Sequence, residues 1–180
     1  MADGDRVMLV VLAPIDGIVT RIDRATGTIE VYVSEKDSHV IHSPTDGTTA
    51  YTREENGHWL RPGVFNVPDQ LKTGRLVVGV DTPIGRTYEY WIEVGRGKYI
   101  TDSVKFEASG VGTRVYRGQR VGEIIIGSLY EMHLGTDAKV TVSVGSRVQG
   151  GTTGIAIIKR PDADSRMTDG CFSCFFSSLY

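Results

Sequence analysis

Ser128 is the residue of this chain best suited to nucleophilic chemistry, because it directly follows Gly127 at the end of an apolar run. A serine so placed can direct its Oγ at the carbonyl of the residue before it, and glycine tolerates the strained backbone that this approach demands. The same dipeptide recurs at Gly145-Ser146, where we predict an ordinary turn. Gly127-Ser128 therefore predicts self-cleavage only if a base, and a group that orients the base, lie nearby.

Two histidines, His39 and His42, are the candidate bases. An imidazole is the natural base for a hydroxyl near neutral pH, and a carboxylate can fix its tautomer. Because the two residues are three positions apart in a segment predicted to be extended, they need not face the same side, and one could serve only to hydrogen-bond backbone. His58 and His133 are interpreted as structural.

Asp16, in the turn sequence Pro14-Ile-Asp-Gly17, is the candidate orienting carboxylate. The competing interpretation is structural, since an aspartate in such a turn commonly bonds its own backbone. A matching turn, Pro44-Thr-Asp-Gly47, lies 30 residues further on, and its Asp46 is interpreted as a turn former. The pair of turns predicts an internal near-repeat.

The elements that must position these residues are predicted to be short strands. The chain has 22 glycines and six prolines, and valine, isoleucine, threonine and tyrosine are frequent, which favours strands and tight turns. The segments with a strand pattern are 7–13, 18–22, 28–33, 76–80 and 87–94. The first of these is predicted to be buried. Two glycine turns, in 115–124 and 148–155, share a pattern typical of small sandwiches. We predict an all-β hybrid barrel or sandwich with little helix.

Length and charge limit the remaining options. The 180 residues suit one domain, placed at 1–160, with a flexible tail at 161–180. Twenty basic and 22 acidic residues without a basic block argue against nucleic-acid binding. Both cysteines, Cys171 and Cys174, lie in the tail and predict neither a disulfide framework nor a zinc site. No metal is expected, and the expected location is cytoplasmic or peripheral to a membrane.

Taken together, Pro14-Ile-Asp-Gly17, the segment Asp37-Ser-His-Val-Ile-His-Ser-Pro-Thr-Asp-Gly47 and Gly122-Glu-Ile-Ile-Ile-Gly-Ser128 resemble the phosphatidylserine decarboxylase family in order, spacing and local sequence. The likeness runs from about residue 13 to about residue 158. Members of that family are proenzymes, in which an Asp-His-Ser triad drives attack of the serine on the preceding carbonyl, and the resulting ester breaks by β-elimination.

This resemblance implies a role for each candidate residue. Asp16 would orient His42, His42 would be the base, and Ser128 would be the nucleophile that attacks Gly127. His39 would bind the substrate. Cleavage would give a β chain of residues 1–127 and an α chain of residues 128–180 headed by a pyruvoyl group formed from Ser128.

The implied activity is that of a carboxy-lyase that converts phosphatidylserine into phosphatidylethanolamine. The pyruvoyl group would serve as the electron sink while carbon dioxide leaves, the part that pyridoxal phosphate plays in other enzymes. The partners would be the amine substrate, the protein's own two chains and a membrane surface contacted peripherally. Assembly into a homo-oligomer is left open.

Departures from the family pattern keep two alternatives open. The chain has Thr73-Gly-Arg75 where the family often shows Asn-Glu-Arg, and Leu129 where a threonine often follows the serine. It also begins without the N-terminal hydrophobic region that relatives use to reach the bilayer. The alternatives are a pyruvoyl-dependent decarboxylase of a soluble amino acid and a non-cleaving relative that acts as a binding protein.

Overall fold

A computed structural model of the protein describes residues 8–55, 74–93, 104–125 and 129–159, apart from the side chains of Trp91 and Glu93. The polar segment 52–63 suggests a surface loop, but residues 52–55 belong to a strand, and the rest of that segment and the tail at 161–180 lie outside these ranges. The strands are β1 (Met8–Leu12), β2 (Gly17–Asp23), β3 (Thr28–Tyr32), β4 (Val40–His42), β5 (Gly47–Glu55), β6 (Arg75–Asp81), β7 (Thr87–Glu93), β8 (Val104–Phe106), β9 (Arg114–Val115), β10 (Arg120–Ile124), β11 (Leu129–His133), β12 (Ala138–Val140), β13 (Arg147–Val148) and β14 (Gly154–Lys159).

The strands form one large and two small antiparallel sheets. The large sheet has eight strands in the order β13-β2-β3-β11-β7-β6-β5-β9, and the small sheets have the orders β1-β14-β12 and β4-β10-β8. The all-β prediction is confirmed. In the part of the chain that the structure covers there is no helix, and so none that could cross a bilayer.

The core forms because alternate residues of paired strands face the same side of a sheet. On β11, Tyr130 stands opposite Val31 of β3 and Ile92 of β7, and all three side chains are buried. The ring of Tyr90 stacks on that of Tyr130 at 5.4 Å between centroids. Burial raises the pKa of both hydroxyls well above its usual value, so these rings stay neutral and act as packing groups.

The first strand differs from its prediction. Among the described strands β1 pairs with β14 alone and is the edge of a three-stranded sheet. Val11 is fully buried, but Met8 and Val10 are 57% and 39% exposed. The continuous apolar run predicted a buried strand, but only the face of β1 that carries Val11 packs on the core, while Met8 and Val10 lie on the outer face.

The predicted near-repeat is present and is built on reciprocal hydrogen bonds. The backbone N–H of Leu12 donates to the carbonyl of Pro44 at 2.9 Å, and the N–H of His42 donates to the carbonyl of Pro14 at 2.7 Å. Each donor precedes its own Pro-x-Asp-Gly turn by two residues and bonds to the proline of the other turn. The two turns therefore lie side by side and are related by an approximate two-fold axis.

The glycine of each turn allows a close approach of backbone. A Cβ on Gly17 would overlap the carbonyl oxygen of Tyr32, and a Cβ on Gly47 would overlap the carbonyl oxygen of Asp81. The short strands β13 and β9 then pair with β2 and β5 at these glycines in the same way. Both halves of the repeat thus need a residue without a side chain at the same position.

The glycine turns after β9 and β13 meet at the approximate axis. Gly118 and Gly151 both have positive φ, at 78° and 69°. The N–H of Gly118 donates to Ser43, and that of Gly151 donates to Ala13, each at 2.8 Å. A Cβ on either glycine would stand within 3.4 Å of the carbonyl oxygen of the other. Glycine is required here for conformation in both halves.

We predict that Gly17→Ala lowers the free energy of unfolding by about 2 kcal/mol or more, because the new methyl group must displace backbone. For a chain of this size that corresponds to a fall in Tm of roughly 4–8 °C. Gly154→Ala is the matched control, since its Cβ would meet only Val10 Cγ1, at an ordinary 3.6 Å. Equal Tm values for the two variants in thermal unfolding would contradict the packing described here.

Candidate active site

Asp16 is held by a part of the chain that is remote in sequence. Its Oδ1 accepts the backbone N–H of Gly150 at 2.7 Å, across 134 positions. Asp46 of the matching turn accepts the N–H of Arg117 at 2.9 Å, across 71 positions. Among the described residues neither carboxylate bonds the backbone of its own turn. Both aspartates instead join a turn to a distant glycine turn.

His42 ends β4 and lies against the same glycine turn. Ideal Cβ atoms on Gly150 and Gly151 would stand 2.9 Å from its Nδ1 and 3.1 Å from its Cδ2. The Nδ1 atom is buried and has no hydrogen-bond partner among the described residues, Asp16 included. Since an unpaired buried nitrogen is costly, this atom is a candidate for a contact that forms only during chemistry.

Asp16 and His42 are thus brought to one place, because both contact Gly150. In the described part of the chain the bond to Gly150 is the one hydrogen bond of the Asp16 carboxylate, so Oδ2 remains available as an acceptor. The matched turns in the sequence indicated that Asp16 and His42 could lie close together. The hydrogen bond between Asp16 and Gly150 was not predicted.

His39 has a different environment from His42. Its Nδ1 lies 2.9 Å from the carbonyl oxygen of Asp37. A carbonyl can only accept, so this nitrogen carries the proton, and in the neutral ring Nε2 is left as an acceptor. His39 and His42 stand before and at the end of a three-residue strand, where residues three apart point to opposite faces.

Asp37 anchors the loop that carries His39, a role that the sequence did not reveal. Its carboxylate is buried and accepts the N–H and hydroxyl of Ser34 at 2.9 and 2.7 Å. It also forms an ion pair with Arg147 of β13. Burial acts to raise the pKa of Asp37, but the hydrogen bonds from Ser34 and Arg147 outweigh it and hold the pKa below its ordinary value.

Gly127 and Ser128 lie outside the described residues, directly before β11. The other Gly-Ser pair lies in a turn, as predicted. Gly145 has a φ of 88°, and the Ser146 hydroxyl accepts the N–H of Ser143 at 3.2 Å. His133, interpreted as structural, has its Nε2 atom 2.7 Å from a carboxylate oxygen of the buried Glu131, while His58 is not among the described residues.

Comparison with known proteins identifies one family. The family model described as Phosphatidylserine decarboxylase matches residues 2–156. Proteins named phosphatidylserine decarboxylase proenzyme from Streptomyces coelicolor and Nitrosomonas eutropha are 29% and 30% identical over 149 and 159 residues, each covering 81% of this chain. One from Carboxydothermus hydrogenoformans is 26% identical and covers 83%. The chain spans 64%, 68% and 71% of the lengths of these three relatives.

We predict that Asp37 gives the protein a pH-dependent share of its stability. Because the pKa is lower in the folded state than in the unfolded chain, this share is complete above the unfolded value, near 3.8, and is lost as the pH falls through the folded value. Asp37→Asn should cost about 2 kcal/mol at pH 7 and much less at pH 2. Thermal unfolding across this range measures the difference.

The control for this prediction is Glu35→Gln, which neutralises an exposed carboxylate in the same loop. Its stability difference from the parent protein should stay within about 0.5 kcal/mol across the pH range. Parallel curves for the parent protein and Asp37→Asn would show that the ion pair with Arg147 contributes nothing at neutral pH.

Proposed function

Because the chain belongs to the phosphatidylserine decarboxylase family, we propose that it is a self-processing, pyruvoyl-dependent decarboxylase that converts phosphatidylserine into phosphatidylethanolamine and carbon dioxide. The observation that carries the proposal is the environment of His42. Its Nδ1 is buried without a partner, next to the glycine that holds the Asp16 carboxylate by one oxygen. A buried polar group left unpaired costs about 1–3 kcal/mol, which favours a hydrogen bond from this ring to the free oxygen of Asp16.

The paths of β10 and β11 support the pairing of this base with Ser128. The N–H of Ile124, the last residue of β10, donates to the carbonyl of His39 at 2.9 Å. Three further residues lead to Gly127, and three residues of extended chain span at most about 11 Å. Leu129, which follows Ser128, begins β11 in the centre of the large sheet. This chain length is short enough to keep the scissile peptide within reach of the histidine segment, which supports the proposal.

The self-processing reaction uses the chain's own groups and water. His42 takes the proton of the Ser128 hydroxyl, Asp16 stabilises the resulting imidazolium, and Oγ attacks the Gly127 carbonyl carbon. The peptide C–N bond then breaks and leaves Gly127 joined to Ser128 Oγ by an ester bond. The proton held by His42 passes to the freed amino group of Ser128. Loss of the Ser128 Cα proton then expels Gly127 as a carboxylate. Uptake of water by the remaining enamine releases ammonia and leaves the pyruvoyl end.

The residues present fit this cofactor, because its formation requires a serine, a preceding acyl group and a base, and the chain supplies Ser128, Gly127 and the His42 imidazole with its buried Nδ1. The pyruvoyl group supplies an electron sink for the carbon that loses carbon dioxide. His39 is proposed to contact the substrate through Nε2, where it can accept or return a proton. Its other nitrogen is fixed on the carbonyl of Asp37, which orients the ring.

The two chains produced by cleavage are proposed to stay together as one folded body. Strand β11 of the α chain lies between β3 and β7 of the β chain. Strand β14 of the α chain lies between β1 of the β chain and β12 of the α chain. The ion pair of Arg147 with Asp37 also joins the α chain to the β chain. We place this body in the cytoplasm or at a membrane surface, where phosphatidylserine is accessible, and leave self-association to be measured.

We predict that Ser128→Ala yields a single unsplit chain without decarboxylase activity. His42→Ala should slow cleavage by about 10² to 10⁴-fold, the usual contribution of a positioned general base. Asp16→Asn should slow it by up to about 10⁴-fold, since the ring loses its charged partner. Intact-mass analysis over time measures each rate, and Ser146→Ala is the control that should cleave normally. An unsplit chain in active preparations of the parent protein would refute self-processing.

The substrate is tested by carbon dioxide release. We expect the cleaved protein to act on phosphatidylserine in mixed phosphatidylcholine vesicles at least about ten times faster than on free serine or aromatic amino acids at equal concentration, since binding energy from the lipid is used at the reacting centre. The opposite ranking would identify a decarboxylase of soluble amino acids. Release from neither class, with the Gly127–Ser128 bond intact, would identify a binding protein.

A further inference from the structure

Gly150 touches both candidate members of the base pair. It donates its N–H to Asp16 Oδ1 at 2.7 Å. Its Cα faces the His42 ring so closely that an added Cβ would stand 2.9 Å from Nδ1. A contact of that length to a ring nitrogen is shorter than real Cβ contacts, so either the ring or the backbone of the turn would have to move.

The turn itself does not require glycine at this position. The φ of Gly150 is outside the left-handed region, unlike that of its neighbour Gly151. In the other half of the repeat the equivalent place is taken by Arg117, whose N–H makes the same bond to Asp46 at 2.9 Å. A full side chain is therefore compatible with the turn and with its hydrogen bond to an aspartate.

What differs between the halves is the residue that the turn faces. The position related to His42 by the repeat is Leu12, since each donates its N–H to the proline of the opposite turn. The half with His42 has a glycine, Gly150, in the facing turn, whereas the half with Leu12 has Arg117 at that place. The glycine at 150 is thus explained by the base and by the adjoining Ile15 backbone, which an added Cβ would also approach to 2.9 Å.

We propose that Gly150 is a positioning residue for the Asp16–His42 pair, an inference that rests on the proposed function. Its N–H fixes one carboxylate oxygen and leaves the other for the ring, and its lack of a side chain lets the Nδ1 edge approach. Because Gly150 follows Ser128, it belongs to the future α chain, while both residues that it positions belong to the β chain. The base is therefore completed only when the β13–β14 segment has docked, so cleavage waits for the folding of the C-terminal part.

The first test is the rate of self-cleavage in the full chain. Gly150→Ala should cleave about 100-fold more slowly than the parent protein, because displacement of a catalytic group by about 1 Å costs that much. Gly154→Ala, four residues away with an unhindered Cβ, should cleave within about two-fold of the parent. Gly150→Ala that folds and cleaves at the parental rate overturns the proposal.

The second test uses Ser128→Ala protein, which cannot cleave and so remains informative even if the proposed function fails. With ¹⁵N-labelled histidine, Gly150→Ala should change the ring-nitrogen shifts of His42, whereas Gly154→Ala should leave them unchanged. Because Ser128→Ala removes cleavage, these shifts report on the ring itself and not on the reaction. The proposal is overturned if the His42 shifts are the same in both variants.

A third measurement decides the matter if Gly150→Ala does not fold. In Ser128→Ala protein with the native Gly150, the Gly150 amide proton should resonate downfield and shift upfield in Asp16→Ala, and the His42 ring shifts should change in the same spectrum. Asp46→Ala is the control and should move the Arg117 amide instead. A Gly150 amide that does not respond to Asp16→Ala contradicts the positioning role.

Discussion

The crossing of the two Pro-x-Asp-Gly turns is the constraint on which the rest of this structure depends. Two reciprocal backbone hydrogen bonds, from Leu12 to Pro44 and from His42 to Pro14, hold the turns side by side. Backbone can lie this close only where side chains are missing, and glycines stand at the turn ends and at the contact of Gly118 with Gly151. This close approach allows the reciprocal hydrogen bonds and the strand pairs at Gly17 and Gly47 to form. It also fixes the position of the segment that carries His42.

The candidate site arises where the two halves of this arrangement stop being equivalent. A symmetric pair of turns offers the same scaffold twice, with an aspartate bonded to a distant N–H in each half. One half presents Leu12 and keeps an ordinary side chain in the facing turn. The other presents His42 and faces Gly150. The scaffold therefore sets the geometry, and the proposed chemistry depends on the two positions at which the halves differ, Leu12 against His42 and Arg117 against Gly150.

Local sequence patterns predicted the strands β1, β2, β3, β6 and β7 but missed short ones such as β4, β8 and β12, because alternation is visible only in segments of several residues. The 30-residue spacing of the turns also predicted the repeat. The bond from Asp16 to Gly150 was not predictable in this way, since it spans 134 positions and depends on the docking of β13 on β2. The burial of Asp37 depends on Arg147, 110 positions away. The apolar first segment was misjudged because a sequence does not reveal how many neighbours a strand will have.

The central place of β11 has a consequence for the lifetime of the folded protein. A strand inserted between β3 and β7 is easily placed while it is tethered to the rest of the chain. If the preceding bond is cut as proposed, the same insertion would have to occur between two separate molecules, and the entropy of association would oppose it. The mature protein would then be unable to recover from full unfolding at low concentration. Its persistence would depend on a slow unfolding rate, and each copy would fold only once.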